Sequence, residues 1–177
     1  DGGAVVTSDP VLAEKLRRLR THGAKPKYYH SMIGGNFRLD PIQAAVLLVK
    51  LPHLEKWHQM RRDNAHFYDE ALQVEELKKP KLAYCRNHHI YNQYVLLVAE
   101  KRDELREFLT KNNIGNEVYY PVPFHEQQCF RYLGYKYGDF PCSERNARHS
   151  VAIPIYPELT RDMQKFVVDK LSEFYKI

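Results

Sequence analysis

A helix start at Asp40-Pro41, set directly behind a glycine-hinged polar loop, constrains this chain more than any other feature. An N-cap Asp accepts a free amide of the first turn, and Pro at the first helical position has a preset φ and no amide to leave unpaired. Gln43 is placed to close a capping box. Ala44, Ala45, Leu47, Leu48 and Leu51 then recur at helical spacing and predict one apolar face. Upstream, Gly34 and Gly35 permit backbone angles that side chains forbid, so Asn36 and Arg38 are presented outward just before the helix. An amide donor beside a guanidinium fork suits a phosphate. On residue types alone, the same run also reads as a turn before a capped helix, with Arg38 a solvated charge.

A second Asp-Pro pair, Asp9-Pro10, opens a helix that runs to about His22, where Gly23 stops it. A short buried strand is predicted before it, over 4–7. Residues 24–39 follow neither period and predict a long functional loop. Pro52 kinks or breaks the helix after Leu51. A second amphipathic helix then extends to about Val74, with Leu54, Trp57, Met60, Ala65, Tyr68 and Leu72 inward. Residues 75–89 read as a polar connection containing Pro80. Beyond it, strands are predicted over 91–98, 117–120 and 151–153, and helices over 102–112, 143–149 and 160–175. The last begins at Thr160 and turns Met163, Phe166, Val167, Leu171 and Phe174 inward. The stretch 121–141, rich in Pro, Gly and Tyr, predicts an ordered excursion with short helical turns. Strands interrupted by helices give an α/β fold class.

With 177 residues, 44% of them hydrophobic, the chain has the material for a core. It shows neither an apolar run of membrane-spanning length nor a signal-peptide pattern, so no membrane partner and a cytoplasmic location are expected. Cys85, Cys129 and Cys142 are odd in number and widely spaced, which suggests neither a disulfide framework nor a zinc knuckle. His88 and His89 are adjacent and point in different directions, so no metal site is predicted with Cys85. The net charge of +5 is densest at Arg17, Arg18, Arg20, Lys25 and Lys27, followed by Tyr28 and Tyr29. Basic and aromatic residues together can bind nucleic acid. Leu12, Leu16 and Leu19 at helical spacing make the arginines the solvated face of an amphipathic helix instead, so a nucleic-acid partner is not expected. Ser31, Ser143 and Ser150 lie in no nucleophile elbow. Sequence spacing does not bring Glu117 and Asp139 into one cleft.

The run Gly34-Gly35-Asn36-Phe37-Arg38-Leu39-Asp40-Pro41-Ile42-Gln43-Ala44-Ala45 resembles a signature of the DegT/DnrJ/EryC1/StrS sugar aminotransferases, pyridoxal-phosphate enzymes of fold type I. Three further segments match in the same order. Asp1-Gly2-Gly3-Ala4-Val5-Val6-Thr7 looks like the strand after the cofactor lysine. The segment from Val118 to His125 looks like the substrate loop, and that from Ile153 to Thr160 like the C-terminal signature. The resemblance implies the end of a pyridoxal-phosphate-binding large domain over 1–40, kinked connecting helices over 41–75 and a small C-terminal α/β domain over 76–177. It implies transfer of an amino group from an amino acid, glutamate foremost, to a nucleoside-diphosphate-linked keto-sugar, with a weak lean toward sugar carbon 3.

By the same resemblance, Asn36 reaches the cofactor phosphate of a neighbouring subunit, which implies a homodimer with shared active sites. Arg38 lies near the substrate diphosphate or the cofactor, and Tyr119, Tyr120 and His125 lie near the sugar nucleotide. His30 is a further candidate for that pocket, with Tyr28 and Tyr29 beside it. The Schiff-base lysine is expected upstream of Asp1, so this chain contributes no catalytic residue, needs an N-terminal half as partner and is expected to be inactive alone. Two alternatives stay open. One is a sugar dehydratase of the same family, in which histidine replaces that lysine. The other is a non-catalytic module that dimerises through the helices after Asp40 and binds nucleotide or nucleic acid.

Overall fold

The computed structural model describes residues 2–82 and 88–176, in two compact units, Asp1–His53 and Leu54–Ile177. In the first, Asp9 Oδ1 accepts the amides of Val11 at 2.8 Å and Leu12 at 3.3 Å and so starts α1 (Pro10–Leu19). The helix ends before its expected limit because the amide of Gly23 turns back to the carbonyl of Arg18 at 2.8 Å. Gly23 has φ +71°, and a Cβ there would lie 1.7 Å from the carbonyl oxygen of Met32. Only glycine satisfies both the torsion and the space. Glu14 on α1 holds Arg18 at 3.1 Å and also Lys25, which fastens the start of the following loop to the helix.

The predicted long loop is ordered by its own backbone. Amides of His22, Gly35 and Phe37 donate to the carbonyls of Gly35, Leu19 and Arg20 at 2.9, 3.0 and 3.0 Å. Isolated bridges pair Thr21 with Asn36 and Ala24 with His30. Both ends of the excursion are thereby held at the C-terminus of α1.

The strand expected over 4–7 does not form, since a strand needs a paired neighbour and no strand is described in this unit. Gly3, Ala4 and Val5 line an apolar cavity of about 920 Å³ with Leu16, Leu19 and Phe37 instead. Next, α2 (Pro41–Lys50) starts where Asp40 Oδ1 accepts the amide of Ile42 at 2.8 Å. The capping box stays open, because among the described residues Gln43 makes no bond back to Asp40. The expected apolar face is not buried. Leu47 and Leu48 are 55% and 70% exposed, as are Ile42, Val46 and Val49 to similar degrees, so apolar groups surround the helix rather than form one stripe. Pro52 sits in a 3-10 turn, Leu51–His53.

In the second unit, α3 (Leu54–Ala71) stops short of the expected Val74, and its end is held by Lys79 Nζ, which donates to the carbonyls of Asp69 and Leu72. Ala65, Tyr68 and Leu72 face inward as expected, but Leu54 is exposed. Strands β1 (Leu77–Lys78), β2 (Tyr94–Val98) and β3 (Ser150–Ile153) form an antiparallel sheet in the order β1-β2-β3. Along β2, Tyr94, Leu96 and Val98 are buried while Val95 and Leu97 are half-buried, the two-residue alternation of a strand with one core face. Against that core face lie α3, α4 (Arg102–Lys111) and α6 (Arg161–Tyr175), through Tyr68, Leu105, Leu109, Val167 and Leu171. α5 (Pro141–His149) packs near β2.

Two expectations for this unit need correction. The strand over 117–120 reduces to a single bridge between Glu117 and Ala152. On α6 the inward face is Gln164, Val167, Val168 and Leu171, whereas Met163 and Phe166 are about half exposed. A polar residue holds an inward position there because Gln164 Nε2 donates to the Asn64 carbonyl at 2.9 Å and its Oε1 accepts from Arg161 at 3.1 Å. Within the second unit α3 packs on α6 and buries Tyr68 in the core. Cys85 lies outside the described residues.

Candidate functional site

In the first unit, the hydrogen bonds from Phe37 and His22 fix the backbone on either side of Asn36, and Asp40 begins α2 two residues beyond Arg38. Arg38 Nε donates to Asn36 Oδ1 at 2.8 Å. Both side chains are exposed, and the bond leaves the amide NH₂ group and the remaining guanidinium N–H groups available. The pair therefore presents several N–H donors side by side, the groups from which phosphate oxygens accept. His30, in the same loop, donates through Nδ1 to the His22 carbonyl at 2.9 Å, so Nε2 is the ring nitrogen left for another contact. Tyr28 and Tyr29 are exposed.

The second unit holds Tyr119, Tyr120 and His125. Tyr119 and Tyr120 line a cavity of about 1000 Å³ whose floor is the outward face of β2, Val95 and Leu97, and whose rim includes Phe124. His125 is separate from that cavity. Its side chain is 6% exposed, its ring lies 4.8 Å from that of Phe140, and its Nε2 contacts Glu144 Oε1 at 3.0 Å. Glu144 Oε1 also accepts the amides of Gly138 at 2.8 Å and Phe140 at 3.2 Å. One buried carboxylate thus ties the loop carrying Tyr119 and Tyr120 to the excursion before α5. Burial opposes its charge, but the two backbone amides and His125 outweigh burial and hold the Glu144 carboxyl below the ordinary range. Ligand-type atoms of His125, Glu126 and Glu144 lie within 4.8 Å of one another, yet Glu144 Oε1 already serves three donors, the mark of a latch.

Sequence reasoning missed Glu144 and three cations on the cavity wall, Lys78, Lys81 and Arg145. The run Lys78-Lys79-Pro80-Lys81 is the available signal, but by composition alone it is one more part of a polar connection. His89 Nδ1 accepts the Tyr91 amide at 3.0 Å, and its ring lies 4.3 Å from that of Tyr91. Among the described residues no helix is long and apolar enough to cross a membrane.

Residues 1–172 match the model of the DegT/DnrJ/EryC1/StrS aminotransferase family. The chain belongs to that family. It is 45% identical, over 99% of its length and 48% of the relative's, to a pleiotropic regulatory protein of Geobacillus stearothermophilus. It is 38% identical to the dTDP-3-amino-3,4,6-trideoxy-alpha-D-glucose transaminase of Streptomyces venezuelae, over 98% of the chain and 46% of that enzyme. Among solved structures, S. venezuelae DesV in complex with ketimine intermediate superposes with a TM-score of 0.89 at 35% identity, over 96% of this chain and 45% of that one. The chain spans about half the length of the curated relatives it matches. The α/β architecture is thus that of part of a fold type I sugar aminotransferase, a family whose cofactor is pyridoxal phosphate. The outward donors of Asn36 and Arg38, with no carboxylate between them, fit the phosphate of that cofactor.

Proposed function

We propose that this chain is part of a pyridoxal-phosphate-dependent aminotransferase that moves an amino group from an amino acid, glutamate foremost, to a nucleoside-diphosphate-linked keto-sugar. The observation that carries the reading is the Arg38–Asn36 bond, which turns two side chains into one outward-facing donor cluster on a fixed backbone. When bound, pyridoxal phosphate supplies the electron sink that amino-group transfer requires. The chain's own residues bind and orient. Asn36 donates to the cofactor phosphate of a neighbouring subunit in a homodimer, and Arg38 holds Asn36 in the donating orientation while its free N–H groups face an anionic ligand. Tyr119 and Tyr120 hold the sugar nucleotide, His30 offers its Nε2, and His125 acts through Glu144 to position the tyrosine loop. The remaining machinery, including the lysine that would carry the cofactor, belongs to the share of the relatives' length that this chain does not span. The 3-amino product named for the S. venezuelae transaminase supports carbon 3 as the aminated position.

Asn36→Asp in the full-length protein tests the reading. The new carboxylate pairs with Arg38 and repels phosphate, so cofactor affinity should fall about tenfold or more, with glutamate-dependent amination of a keto-sugar nucleotide falling alongside. Unchanged cofactor affinity would remove Asn36 from the phosphate site.

A further inference from the structure

The segment that leads into Tyr119 and Tyr120 is tied to the sheet by one backbone bridge. Glu117 and Ala152 exchange amide-to-carbonyl bonds of 3.2 and 2.8 Å, and among the described residues no second pair extends that ladder. A single bridge specifies register weakly, and a slip of one residue turns every side chain to the opposite face. The side chains nevertheless alternate. Ile114 and Val118 are buried with Asn116 half-buried between them, while Gly115, Glu117 and Tyr119 are exposed, the two-residue period of an extended segment. A polar residue thus holds an inward position between two apolar ones.

Helix α4 accounts for it. Asn116 Oδ1 accepts from Arg106 Nε at 3.1 Å, and Asn116 Nδ2 donates to the Thr110 hydroxyl at 3.0 Å and to the carbonyls of Ile114 and Arg106 at 3.2 and 3.3 Å. The same guanidinium approaches the next residue, with Arg106 Nη2 at 3.9 Å from Glu117 Oε1, and that oxygen accepts the Val118 amide at 2.8 Å. A one-residue slip would carry the Asn116 side chain about 3.3 Å along the segment, farther than a hydrogen bond tolerates, so the bonds to α4 would be lost together. In the register that they hold, Tyr119 lines the cavity floored by Val95 and Leu97, whereas the described lining includes neither Asn116 nor Arg106.

We propose that Asn116, clamped by Arg106, is a positioning residue that fixes the register of 114–118 and thereby aims Tyr119 into the cavity. The inference rests on the reading of Tyr119 as a residue that holds the sugar nucleotide, and it gives α4 a part in substrate affinity without contact with substrate.

The test is steady-state kinetics of the full-length protein with glutamate and whichever of the dTDP-linked and UDP-linked 3-keto sugars it turns over. Asn116→Ala should raise KM for the sugar about tenfold and leave kcat within about twofold, the pattern of lost binding that is equal in ground and transition states. Arg106→Met keeps the aliphatic stem, removes the guanidinium and should move KM the same way, which serves where the first variant folds poorly. A double-mutant cycle separates aim from stability. In a Tyr119→Ala background, Asn116→Ala should change KM by less than about twofold, because the ring it aims is gone. Equal KM factors in both backgrounds, or no KM change in either clamp variant, would reduce Asn116 to a cap of α4 and leave the sugar-nucleotide reading of Tyr119 standing. An unchanged KM in Tyr119→Ala alone, or no turnover of either sugar by the parent, would remove that reading and this inference with it.

Discussion

Replacing Gly23 by Ala should loosen the loop that carries Asn36, by an amount that the structure allows to be worked out. Gly23 has φ +71°, a torsion that costs an L-residue about 1–2 kcal/mol. The added Cβ would also stand 1.7 Å from the Met32 carbonyl oxygen, so backbone, not a swinging side chain, must retreat by more than an ångström. That retreat strains two bonds at the same turn, Gly23 amide to Arg18 carbonyl at 2.8 Å and Ser31 amide to Gly23 carbonyl at 3.1 Å. At about 0.5–1.5 kcal/mol each, these bring the expected loss to about 2–5 kcal/mol. Two controls separate the contributions. Gly138 has φ +98° and open space for 4 Å around the position a Cβ would take, so Gly138→Ala should show the torsional cost alone, about 1–2 kcal/mol. Gly115 has neither a positive φ nor a neighbour within 4 Å, and Gly115→Ala should fall within about 0.5 kcal/mol of the parent. Equilibrium urea unfolding gives the three values, and amide exchange at Gly35 and Phe37 locates the effect, with rates at least about tenfold faster in Gly23→Ala. A Gly23→Ala loss no larger than that of Gly138→Ala would refute the steric argument.

Leu96→Ala, on the core face of the central strand where Leu96 is fully buried, should cost about 2–5 kcal/mol in the same unfolding measurement. Val95→Ala, on the cavity face, should cost less; the opposite order would show that the two faces of β2 are misassigned. Glu144 has a native pKa below its unfolded value, so the unfolded chain binds the extra proton and stability rises with pH between the two values. Its contribution is complete above the ordinary Glu value, about 4.3, and is lost as pH falls through the lower native one. Acid unfolding of Glu144→Gln should accordingly show a shallower loss than the parent over that window, and equal slopes would mean that the latch carries no charge-dependent stability.

Local chemistry written in consecutive residues was legible from the chain itself. Asp9, Asp40 and Thr160 cap helices where their residue types said they would, since an N-cap bond spans two or three positions and needs nothing from elsewhere in the fold. The strand expected over 91–98 forms at Tyr94–Val98, and the spacing of Gly34, Asn36, Arg38 and Asp40 marked the family. Tertiary structure alone decided which partners those elements found. The strand expected at 4–7 lacked a neighbour, the apolar residues of α2 stay exposed, and on α6 Gln164 and Val168 are buried where Met163 and Phe166 were expected. Gln164 is buried because Asn64, far away in sequence, accepts its amide. Lys78 and Arg145 meet on one cavity because a sheet register and a helix packing bring them there, and Glu144 becomes a latch because three donors converge on a single oxygen. Short-range bonds depend on residue order, whereas pairing, burial and charge convergence depend on distances that only the folded chain sets.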